Sequence, residues 1–395
     1  MSHIVEGLTA RPRGVDEIDA QALAHDLQRA VEGEVRFSAG SRALYANDAS
    51  AYRQVPVGVV VPRTADDVVA AVRVCREHAA PIFARGAGTG LAGQTVNNGV
   101  CFDFSKYLRE LSKLDPEAKR ARVQPGLVLD RLRERAEEHE QTFGPDPATH
   151  SRCTLGGMIG NDSCGVHSIL AGLTRDNVEA LHVVLYDGTR LRVSRGENAI
   201  EGPRAEELTR QLKELSDRWG DLVRERYPDI PRRVSGYNLD SLLPEKGFDV
   251  AAALVGTEST CCLVLEAELK LIPSPQHRSL VLLGYDAPWT AADHVPEIME
   301  FDPIGLETFE QKLVDNELAK GFRRHPELLP GGNAWLLVEF GADSKEEADE
   351  QAERLRAAME KKGSKDYEDL KVYEDADEIS QVWEIREGGV GHSKV

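Results

Sequence analysis

A glycine-rich stretch from Pro81 to Gly93, PIFARGAGTGLAG, is the part of this sequence best suited to hold a ligand. It contains no acidic side chain, and it follows a short apolar run. Glycine has no Cβ and tolerates positive φ, so such a loop lays backbone N–H groups against a bound anion. Concave sites of this kind usually hold a phosphate or pyrophosphate, and an ordinary glycine-rich turn is the alternative. Arg85, at the entrance of the loop, supplies a cation.

The spacing of Gly88, Gly90 and Gly93 satisfies the G-x-G-x-x-G pattern, but the sequence that follows does not fit a Rossmann site. That pattern requires a helix opening at the glycines and an acidic residue about twenty positions later. Here QTVNNGVCFDFSKY follows and predicts a turn and then a short strand. No Gly-Lys-Ser/Thr follows either, so a Walker A loop is absent. We expect a strand, the glycine loop and another strand.

A second glycine cluster, TLGGMIGNDSCG, runs from Thr154 to Gly165. The turn GPDP at Gly144 to Pro147 precedes it, and its two prolines fix φ and stiffen the approach. The cluster lets the backbone come close to a flat or extended ligand. Asn161 and Ser163 offer short polar side chains that bond both backbone and ligand. Two such clusters in one chain favour a ligand site over two unrelated turns.

The elements before the first loop predict how it is positioned. Val57 to Val61 is an apolar run that ends at Pro62, which predicts a buried strand. Thr64 stands three residues before Asp67, a spacing typical of a helix start, and a helix is predicted over Ala65 to Ala79. Pro81 to Ala84 is the next predicted strand. This β-α-β unit delivers the chain directly into the glycine loop.

The order of these motifs resembles the FAD-binding domain of the vanillyl-alcohol oxidase and p-cresol methylhydroxylase (PCMH) superfamily. The resemblance rests on VVVPRTADDVVAAVRVC, RGAGTGLAG, GPDP and TLGGMIGNDSCG, and it covers about Tyr52 to Pro273. The D-lactate, glycolate and D-2-hydroxyglutarate dehydrogenases are the branch that the sequence is most similar to. The resemblance implies FAD as the cofactor. It also implies an α+β fold in which a two-subdomain PCMH-type FAD-binding domain precedes a ferredoxin-like substrate-cap domain.

The resemblance also implies which residues contact FAD. It assigns the pyrophosphate to the first loop, comprising Arg85, Gly86, Ala87, Gly88, Thr89, Gly90, Leu91 and Ala92. It assigns the isoalloxazine and ribityl part to Pro145, Asp146, Thr154, Gly156, Gly157, Asn161, Ser163 and Gly165. His167 is read as a flavin contact rather than a base, with a covalent flavin bond through it or Cys164 as a less favoured alternative.

A later segment implied to close over the adenine side departs from the family pattern. Glu258 and Val264 are the contacts expected there, and a purely structural bond from Glu258 to backbone N–H groups is equally consistent. The family usually reads G-S-E-G-T-L-G, whereas this chain reads GTESTCC from Gly256 to Cys262. Ser259 and Cys262 stand where the family has glycine, so the contacts here are the least secure.

The predicted organisation has three parts: an N-terminal helical arm over 1–51, the FAD-binding domain over 52–273 and an incomplete cap domain over 274–395. Beyond Pro273 the predicted elements follow the order β-α-β-β-α-β of a ferredoxin-like unit. The resemblance makes this the substrate-cap domain, and the chain is interpreted as the front part of a longer protein.

Arg386 is the residue expected to hold a substrate carboxylate. Its segment QVWEIREGG resembles the family motif W-x-x-R-E, and the planar guanidinium grips a carboxylate through two hydrogen bonds. The alternative is a solvated arginine paired with Glu384 or Glu387. The family's E-H-G-x-G motif, which supplies a metal ligand and a base, has no match before Val395, and His392 is read as incidental. No metal site is therefore predicted.

Composition excludes several classes of partner. The 395 residues include 48 Lys and Arg against 67 Asp and Glu, a formal net charge of −19. That balance argues against nucleic acid and anionic membrane surfaces. No run approaches the roughly twenty apolar residues of a membrane span. The six cysteines show no C-x-x-C spacing, so a cytoplasmic location without a zinc or iron–sulfur motif is expected.

These observations favour an FAD-dependent oxidation of a D-2-hydroxy acid to the 2-oxo acid by hydride transfer to flavin N5. D-lactate is the first substrate expected, and D-2-hydroxyglutarate or glycolate comes next. The electrons would pass to a non-nicotinamide acceptor, such as a quinone, a cytochrome or an iron–sulfur module. The alternative is an FAD-holding electron-transfer or regulatory subunit without substrate turnover of its own.

Overall fold

The computed structural model describes residues 17–321, 325–361 and 367–388. Its first elements are α1 (Ala20–Ala30), β1 (Glu34–Arg36), α2 (Ala39–Leu44), β2 (Gly58–Val61), α3 (Ala65–Glu77), β3 (Ile82–Arg85), β4 (Val100–Asp103), β5 (Leu111–Asp115), β6 (Arg120–Val123) and α4 (Leu129–Glu137). The middle contains β7 (Gln141–Thr142), α5 (Leu155–Asn161), α6 (Ser168–Ala171), β8 (Val178–Val184), β9 (Arg190–Val193), β10 (Ile200–Glu201), α7 (Ala205–Arg226), α8 (Val250–Leu254) and β11 (Leu263–Lys270). The last part contains β12 (Ile272–Pro273), β13 (His277–Tyr285), α9 (Pro288–Ile298), β14 (Gly305–Glu310), α10 (Gln311–Ala319), β15 (Ala334–Ala342), α11 (Lys345–Lys361), β16 (Asp369–Tyr373) and α12 (Ala376–Gly388).

The chain forms two compact units, and neither is continuous in sequence. Unit 1 comprises the described parts of Met1–Ala136, His150–Ser163 and Leu173–Leu271. Unit 2 comprises the described parts of Glu137–Thr149, Cys164–Gly172 and Ile272–Val395. Residues 137–149 and 164–172, which the sequence analysis placed within the FAD-binding domain, thus cluster with the later part of the chain.

The first sheet of unit 1 contains the β-α-β unit formed by β2, α3 and β3. Its strand order is β1-β2-β4-β3, with β2 and β3 parallel to β4 and β1 antiparallel to β2. The helix α3 begins where Thr64 Oγ1 accepts a hydrogen bond from Asp67 N at 3.1 Å. Every residue of β2 and β4 is buried, as expected for parallel strands covered on both faces. The carboxyl end of β3 leads directly into the glycine loop, and no helix lies between β3 and β4.

The second sheet of unit 1 is antiparallel and has the order β10-β9-β8-β11-β6-β5. In β11 buried residues alternate with part-exposed ones, the period of a strand with one solvated face. The buried Leu263 and Leu265 belong to the same core cluster as Val68 and Val72 of α3. The two sheets of unit 1 therefore share a hydrophobic core.

Unit 2 is built on an antiparallel sheet with the order β14-β15-β13-β16. A small sheet of β12 and β7 accompanies it. One face of the larger sheet packs in a cluster with residues of α9 and α11, and the other face packs in a cluster with residues of α10 and α12. Because both faces are covered, β13 and β15 are almost continuously buried. This sheet positions the side chains of the second candidate site.

Several helices were not predicted from the sequence, and two of them, α5 and α10, bear on the site and on the element order of unit 2. The helix α5 contains Gly156, Gly157 and Gly160, and glycine lowers helix propensity by about 1 kcal/mol relative to alanine. Contacts at its ends compensate, since Thr154 caps it and Asp162 ends it with φ of 50°. The helix α10 interrupts the expected β-α-β-β-α-β order between β14 and β15. No helix in the part of the chain that the structure describes is long and apolar enough to cross a membrane.

Candidate functional site

A cleft in unit 1 lies where the glycine loop, α5 and the segment before β11 meet. Its volume is about 670 Å³, and it is open to solvent at its mouth. Residues from all of these elements line it: Ala84, Arg85, Gly86, Gln94, Thr95, Phe104, Pro125, Thr154, Gly156, Gly157, Ile159, Gly160, Asn161, Leu254, Thr257, Glu258, Ser259, Cys262 and Val264. The cleft therefore combines residues that are far apart in sequence but belong to one compact unit.

Glycines allow two walls of the cleft to touch. A Cβ on Gly86 would stand 2.0 Å from Thr154 Oγ1, and a Cβ on Gly156 would stand 2.6 Å from Pro125 Cβ. Gly156 N also donates a hydrogen bond to Pro125 O at 2.7 Å. Thr154 is buried, and its Oγ1 accepts a hydrogen bond from Gly157 N at 3.3 Å. Any side chain at Gly86 or Gly156 would push the walls apart.

The guanidinium of Arg85 is engaged with the protein backbone. Its Nη2 donates to Asn47 O at 2.8 Å, and its Nη1 donates to Thr95 O at 3.2 Å. Gly88 has φ of 69°, and a Cβ there would stand 2.8 Å from Arg85 Nη2. Arg85 therefore ties the glycine loop to the segment before β2. This bonding differs from the simple role of a phosphate cation that its position in the sequence suggested.

Gln94 and Glu258 supply polar side chains to the lining of the cleft. Gln94 Oε1 is buried, and no described residue donates a hydrogen bond to it. A Cβ on Gly90 would stand 2.7 Å from that oxygen. Burial raises the pKa of Glu258, against the opposing effect of its hydrogen bond with Gln94. A buried carbonyl oxygen without a donor destabilises a protein by about 1–3 kcal/mol. A ligand with N–H or O–H groups that reach Gln94 Oε1 would therefore be favoured here.

The segment after Gly256 folds over the end of α5. Gly256 N donates to Ile159 O at 2.8 Å, and Glu258 N donates to Gly160 O at 3.0 Å. Glu258 and Ser259 have φ of 50° and 62°, a conformation that favours glycine. Ser259 Oγ accepts a hydrogen bond from Ala84 N at 3.1 Å. The serine found where the family has glycine thus supplies an acceptor for β3.

Apolar side chains also line the cleft. They belong to Phe104, Ile159, Leu254, Cys262 and Val264. Cys262 is buried, and burial raises the pKa of its thiol to about 12, so it stays protonated at neutral pH. A ring system needs apolar walls, and a sugar and pyrophosphate need polar groups with close backbone approach. Apolar lining, polar groups and glycines at the closest approaches together fit FAD.

A buried network next to the cleft fixes the chain after α5. Asp162 is fully buried, and its carboxylate accepts hydrogen bonds from Arg175 N and Nη1, both at 3.0 Å. Asn238 Nδ2 donates to Asp162 Oδ2 at 3.3 Å and to Val255 O at 2.8 Å. Burial raises the pKa of Asp162 despite these donors. The network holds the segment around Asn238 (residues 236–241) and the end of α5 together.

Unit 2 contains a second cluster, centred on His167. Both ring nitrogens of His167 are bonded: Nδ1 donates to Asp146 Oδ2, and Nε2 donates to Glu339 Oε2 at 2.5 Å. Asp146 Oδ1 also accepts from His167 N at 3.0 Å. Burial disfavours the imidazolium, but the two carboxylates outweigh it and raise the pKa of His167 to about 9. A Cβ on Gly165 would stand 2.2 Å from the Asp146 carbonyl, so this contact requires glycine.

Glu339 joins three elements of unit 2. It is 1% exposed, and besides His167 it accepts from Arg278 Nη1 at 3.2 Å and from Trp383 Nε1 at 3.0 Å. Burial alone would raise the pKa of Glu339. Arg278, His167 and Trp383 outweigh burial and lower the pKa to about 2. The carboxylate is therefore charged throughout the physiological range.

Arg386 lies near the end of α12 and pairs with neither residue that the sequence suggested. Its Nη2 stands 3.3 Å from Glu307 Oε1 on β14, and both side chains are about one fifth exposed. Its Nε is buried, and no residue in the described ranges accepts a hydrogen bond from it. The guanidinium therefore keeps donor capacity beyond its contact with Glu307.

Two family models match this chain. Residues 56–194 match the FAD binding domain, and residues 274–394 match the C-terminal domain of FAD linked oxidases. The chain belongs to the FAD-linked oxidase family of PCMH type. FAD is accordingly the cofactor of this flavoprotein, in agreement with the sequence analysis.

Curated relatives of this FAD-linked oxidase are considerably longer. The D-2-hydroxyglutarate dehydrogenase of Pseudomonas putida is 29% identical over an alignment of 377 residues. The alignment covers 91% of this chain and 37% of that protein. Glycolate oxidase subunit GlcD of Bacillus subtilis is 31% identical over 72% of this chain and 52% of its own length. A probable mitochondrial D-lactate dehydrogenase of Danio rerio is 26% identical over 91% and 63%. The chain thus spans between about a third and two thirds of these proteins.

A solved structure supports the fold of this FAD-linked oxidase. Alkyldihydroxyacetonephosphate synthase superimposes with a TM-score of 0.64 at 14% sequence identity, covering 98% of this chain and 67% of that one. The mixed helix-and-sheet fold is therefore shared, and at this identity the likeness concerns the fold alone.

The cleft brings together about half of the residues that the sequence analysis proposed for FAD. Those that line it are Arg85, Gly86, Thr154, Gly156, Gly157, Asn161, Glu258 and Val264. The rest of the loop (residues 87–92) and Ser163 belong to unit 1 but do not line it. Pro145, Asp146, Gly165, His167 and Arg386 belong to unit 2. Sequence reasoning missed Gln94, Arg278 and Glu339, whose types carry no motif and whose contacts are long-range.

Proposed function

We propose that this protein is an oxidoreductase that uses FAD to oxidise a D-2-hydroxy acid to the 2-oxo acid. The observation that carries the proposal is the glycine-built cleft with both apolar and polar lining residues, in a member of the FAD-linked oxidase family. The named relatives support the substrate class, since they act on D-2-hydroxyglutarate, glycolate or D-lactate. FAD, when bound, supplies the two-electron acceptor for the oxidation.

The residues lining the cleft are proposed to hold FAD. The glycines keep the walls close together. The apolar lining residues are proposed to contact a ring system, and Gln94 and Glu258 are proposed to accept hydrogen bonds from the cofactor. The other loop residues, 87–92, are proposed to continue the phosphate cradle, because Gly88 and Gly93 both have positive φ. Both the adenine and the isoalloxazine of FAD are ring systems, so both suit the apolar lining residues.

Arg386 is proposed to bind the carboxylate of the substrate. Among the described residues it forms an ion pair with Glu307, and no described residue satisfies its buried Nε. A carboxylate placed against the guanidinium gains two parallel hydrogen bonds. Neutralising the substrate's charge in this way also aligns the hydroxyl-bearing carbon for oxidation.

His167 does not act as the proton acceptor for the substrate hydroxyl. A general base must be unprotonated and within hydrogen-bond reach of its proton. His167 has a pKa of about 9, and both of its nitrogens donate to buried carboxylates. At neutral pH the ring already carries both protons. The base is therefore proposed to be another group.

The electron acceptor is proposed to be a non-nicotinamide partner, such as a quinone, a cytochrome or an iron–sulfur module. The name of the GlcD relative, a subunit of glycolate oxidase, supports a reaction that is completed within an assembly. In the second candidate function, this chain holds FAD and passes electrons without oxidising a substrate itself.

Anaerobic reduction of the bound flavin tests the proposal. The yellow protein is mixed with D-2-hydroxyglutarate, D-lactate or glycolate, with the L-enantiomers of the two chiral acids as controls, and the flavin absorbance is followed. Bleaching by a D-2-hydroxy acid, and at least tenfold slower bleaching in Arg386→Lys, is expected because lysine lacks the bidentate fork. A yellow protein that none of these acids reduces points to the electron-transfer subunit. A purified protein that binds no FAD contradicts both functions.

A further inference from the structure

Glu339 is the buried carboxylate at which three parts of unit 2 meet, and the proposed reaction gives it no role. Trp383 of α12 donates to its Oε1, while His167 and Arg278 donate to its Oε2. Both oxygens are therefore occupied by donors from a helix, an early segment of the chain and a neighbouring strand.

An apolar residue at position 339 would continue the surroundings of this sheet face. Trp335 and Leu337 precede it on the same face of β15 and pack in a cluster with Val382 and Ile385 of α12. Replacing buried ionic groups with apolar residues often leaves stability unchanged or improves it. The charge therefore contributes direction: a hydrogen bond to Trp383 holds α12 at one rotation, whereas apolar packing tolerates several.

Trp383 and Arg386 lie on one side of α12, because residues three apart are neighbours on a helix. Beneath them, Glu307 and Glu339 are diagonal neighbours on adjacent strands, since Glu339 pairs with Gly305. The Cβ atoms of such neighbours are about 7–8 Å apart. Two carboxylates of the sheet thus stand under one side of α12, one bonded to Trp383 and the other paired with Arg386.

We propose that Glu339 is a positioning residue that sets the location of Arg386, because it holds Trp383 and with it the last turns of α12. His167 and Arg278 keep Glu339 charged and fix its rotamer. The part of the proposal that concerns substrate rests on the proposed function, in which Arg386 binds the carboxylate. The placement of α12 does not depend on any substrate.

Hydrogen exchange in the FAD-loaded protein tests the placement of α12. Glu339→Gln keeps the shape of the side chain and removes its charge. Trp383→Phe removes the indole donor together with part of the ring that packs on this face of the sheet. Both changes are expected to speed amide exchange in α12 by about tenfold, the loss of one charge-assisted hydrogen bond, without affecting α11. Glu268→Gln is the matched control, because Glu268 of unit 1 is also a strand glutamate bound by histidine and arginine.

Steady-state kinetics tests the consequence for Arg386, with whichever of D-2-hydroxyglutarate and D-lactate bleaches the flavin. KM is expected to rise about tenfold in Glu339→Gln and in Trp383→Phe with kcat nearly unchanged, the pattern of lost uniform binding. The double variant is expected to be no worse than Glu339→Gln alone, because the contact that Trp383→Phe removes is one of the three that Glu339→Gln already weakens. Glu268→Gln is expected to keep the wild-type KM.

The two experiments separate the outcomes. Unchanged exchange in α12 in both variants overturns the positioning role, as does a KM that rises in Glu339→Gln but not in Trp383→Phe. Additive effects in the double variant overturn it as well. Failure of every hydroxy acid to reduce the wild-type flavin refutes the proposed function, while the exchange experiment still decides the placement of α12.

Discussion

Gln94 shows how a single side chain reports on the ligand that the cleft takes. Its Oε1 is buried beside Gly90 without a donor from the described residues, which costs the ligand-free protein free energy. We predict that Gln94→Leu leaves the thermal midpoint of the FAD-free protein unchanged or higher and weakens FAD binding about tenfold. Fluorescence titration with FAD and a thermal melt measure the two effects. A Kd equal to that of the wild type would show that no donor of FAD meets this oxygen.

His167 makes a prediction about pH. Its folded pKa is raised from 6.5 to about 9, so its contribution to stability is complete below about pH 6.5 and is lost as the pH rises through about 9. Asp146, Glu339 and Arg278 are the charged groups that face it. We expect His167→Asn to lower the thermal midpoint at pH 6.5 and the difference from wild type to shrink toward pH 9.5. A difference that stays constant over this range would contradict the raised pKa.

At the scale of elements, β3 depends on a side chain that lies 175 residues later in the chain. Ser259 pairs a strained φ of 62° with the hydrogen bond from Ala84 N. We predict that Ser259→Ala lowers the free energy of unfolding by about 1–2 kcal/mol, because it loses the acceptor and keeps the strain. Ser259→Gly should stay near the wild type, since relief of about 1 kcal/mol of strain offsets the lost bond. Urea denaturation measures both. A midpoint of Ser259→Ala equal to that of the wild type would rule out a contribution from the hydroxyl, and equal midpoints for the two variants would rule out a contribution from strain.

Elements with strong local signals were predictable. The cap at Thr64 and the apolar period of α3 are each confirmed by the structure. The sequence failed at α5, whose glycines disguise a helix that is stabilised at its ends by Thr154 and Asp162. It failed there because close packing against the neighbouring wall of the cleft requires the glycines, although glycine has low helix propensity.

The candidate site was predictable in its glycine motifs and not in its charges. Arg85 has a motif around it, but its carbonyl partners come from a segment with none. Glu339 lies 172 residues from His167 in sequence, and nothing near either residue signals the contact. Charged pairs of this kind depend on which strands adjoin, so one sequence taken by itself does not reveal them.

At the scale of the whole molecule, unit 2 needs two early segments of the chain. A fragment of residues 274–395 lacks Asp146 and His167, and it also lacks both strands of the small sheet, β7 and β12. We predict that this fragment is unfolded, because Glu339 loses a partner and a broken buried ion pair costs about 3–5 kcal/mol. Circular dichroism and amide dispersion in NMR spectra measure this. Glu339→Leu in the fragment should recover structure, whereas a folded unmodified fragment would contradict the prediction.

The interleaving of units 1 and 2 also has a consequence during synthesis. The segments 137–149 and 164–172 leave the ribosome well before β15, which carries the glutamate that His167 binds. At 5–20 residues per second, the roughly 170 residues between them take about ten to thirty seconds to translate. Nascent chains fold within that time, so unit 1 folds before Glu339, which His167 binds in addition to Asp146, has been synthesised. The translation rate between these positions therefore sets how long two charged loops stay open to chaperones and proteases.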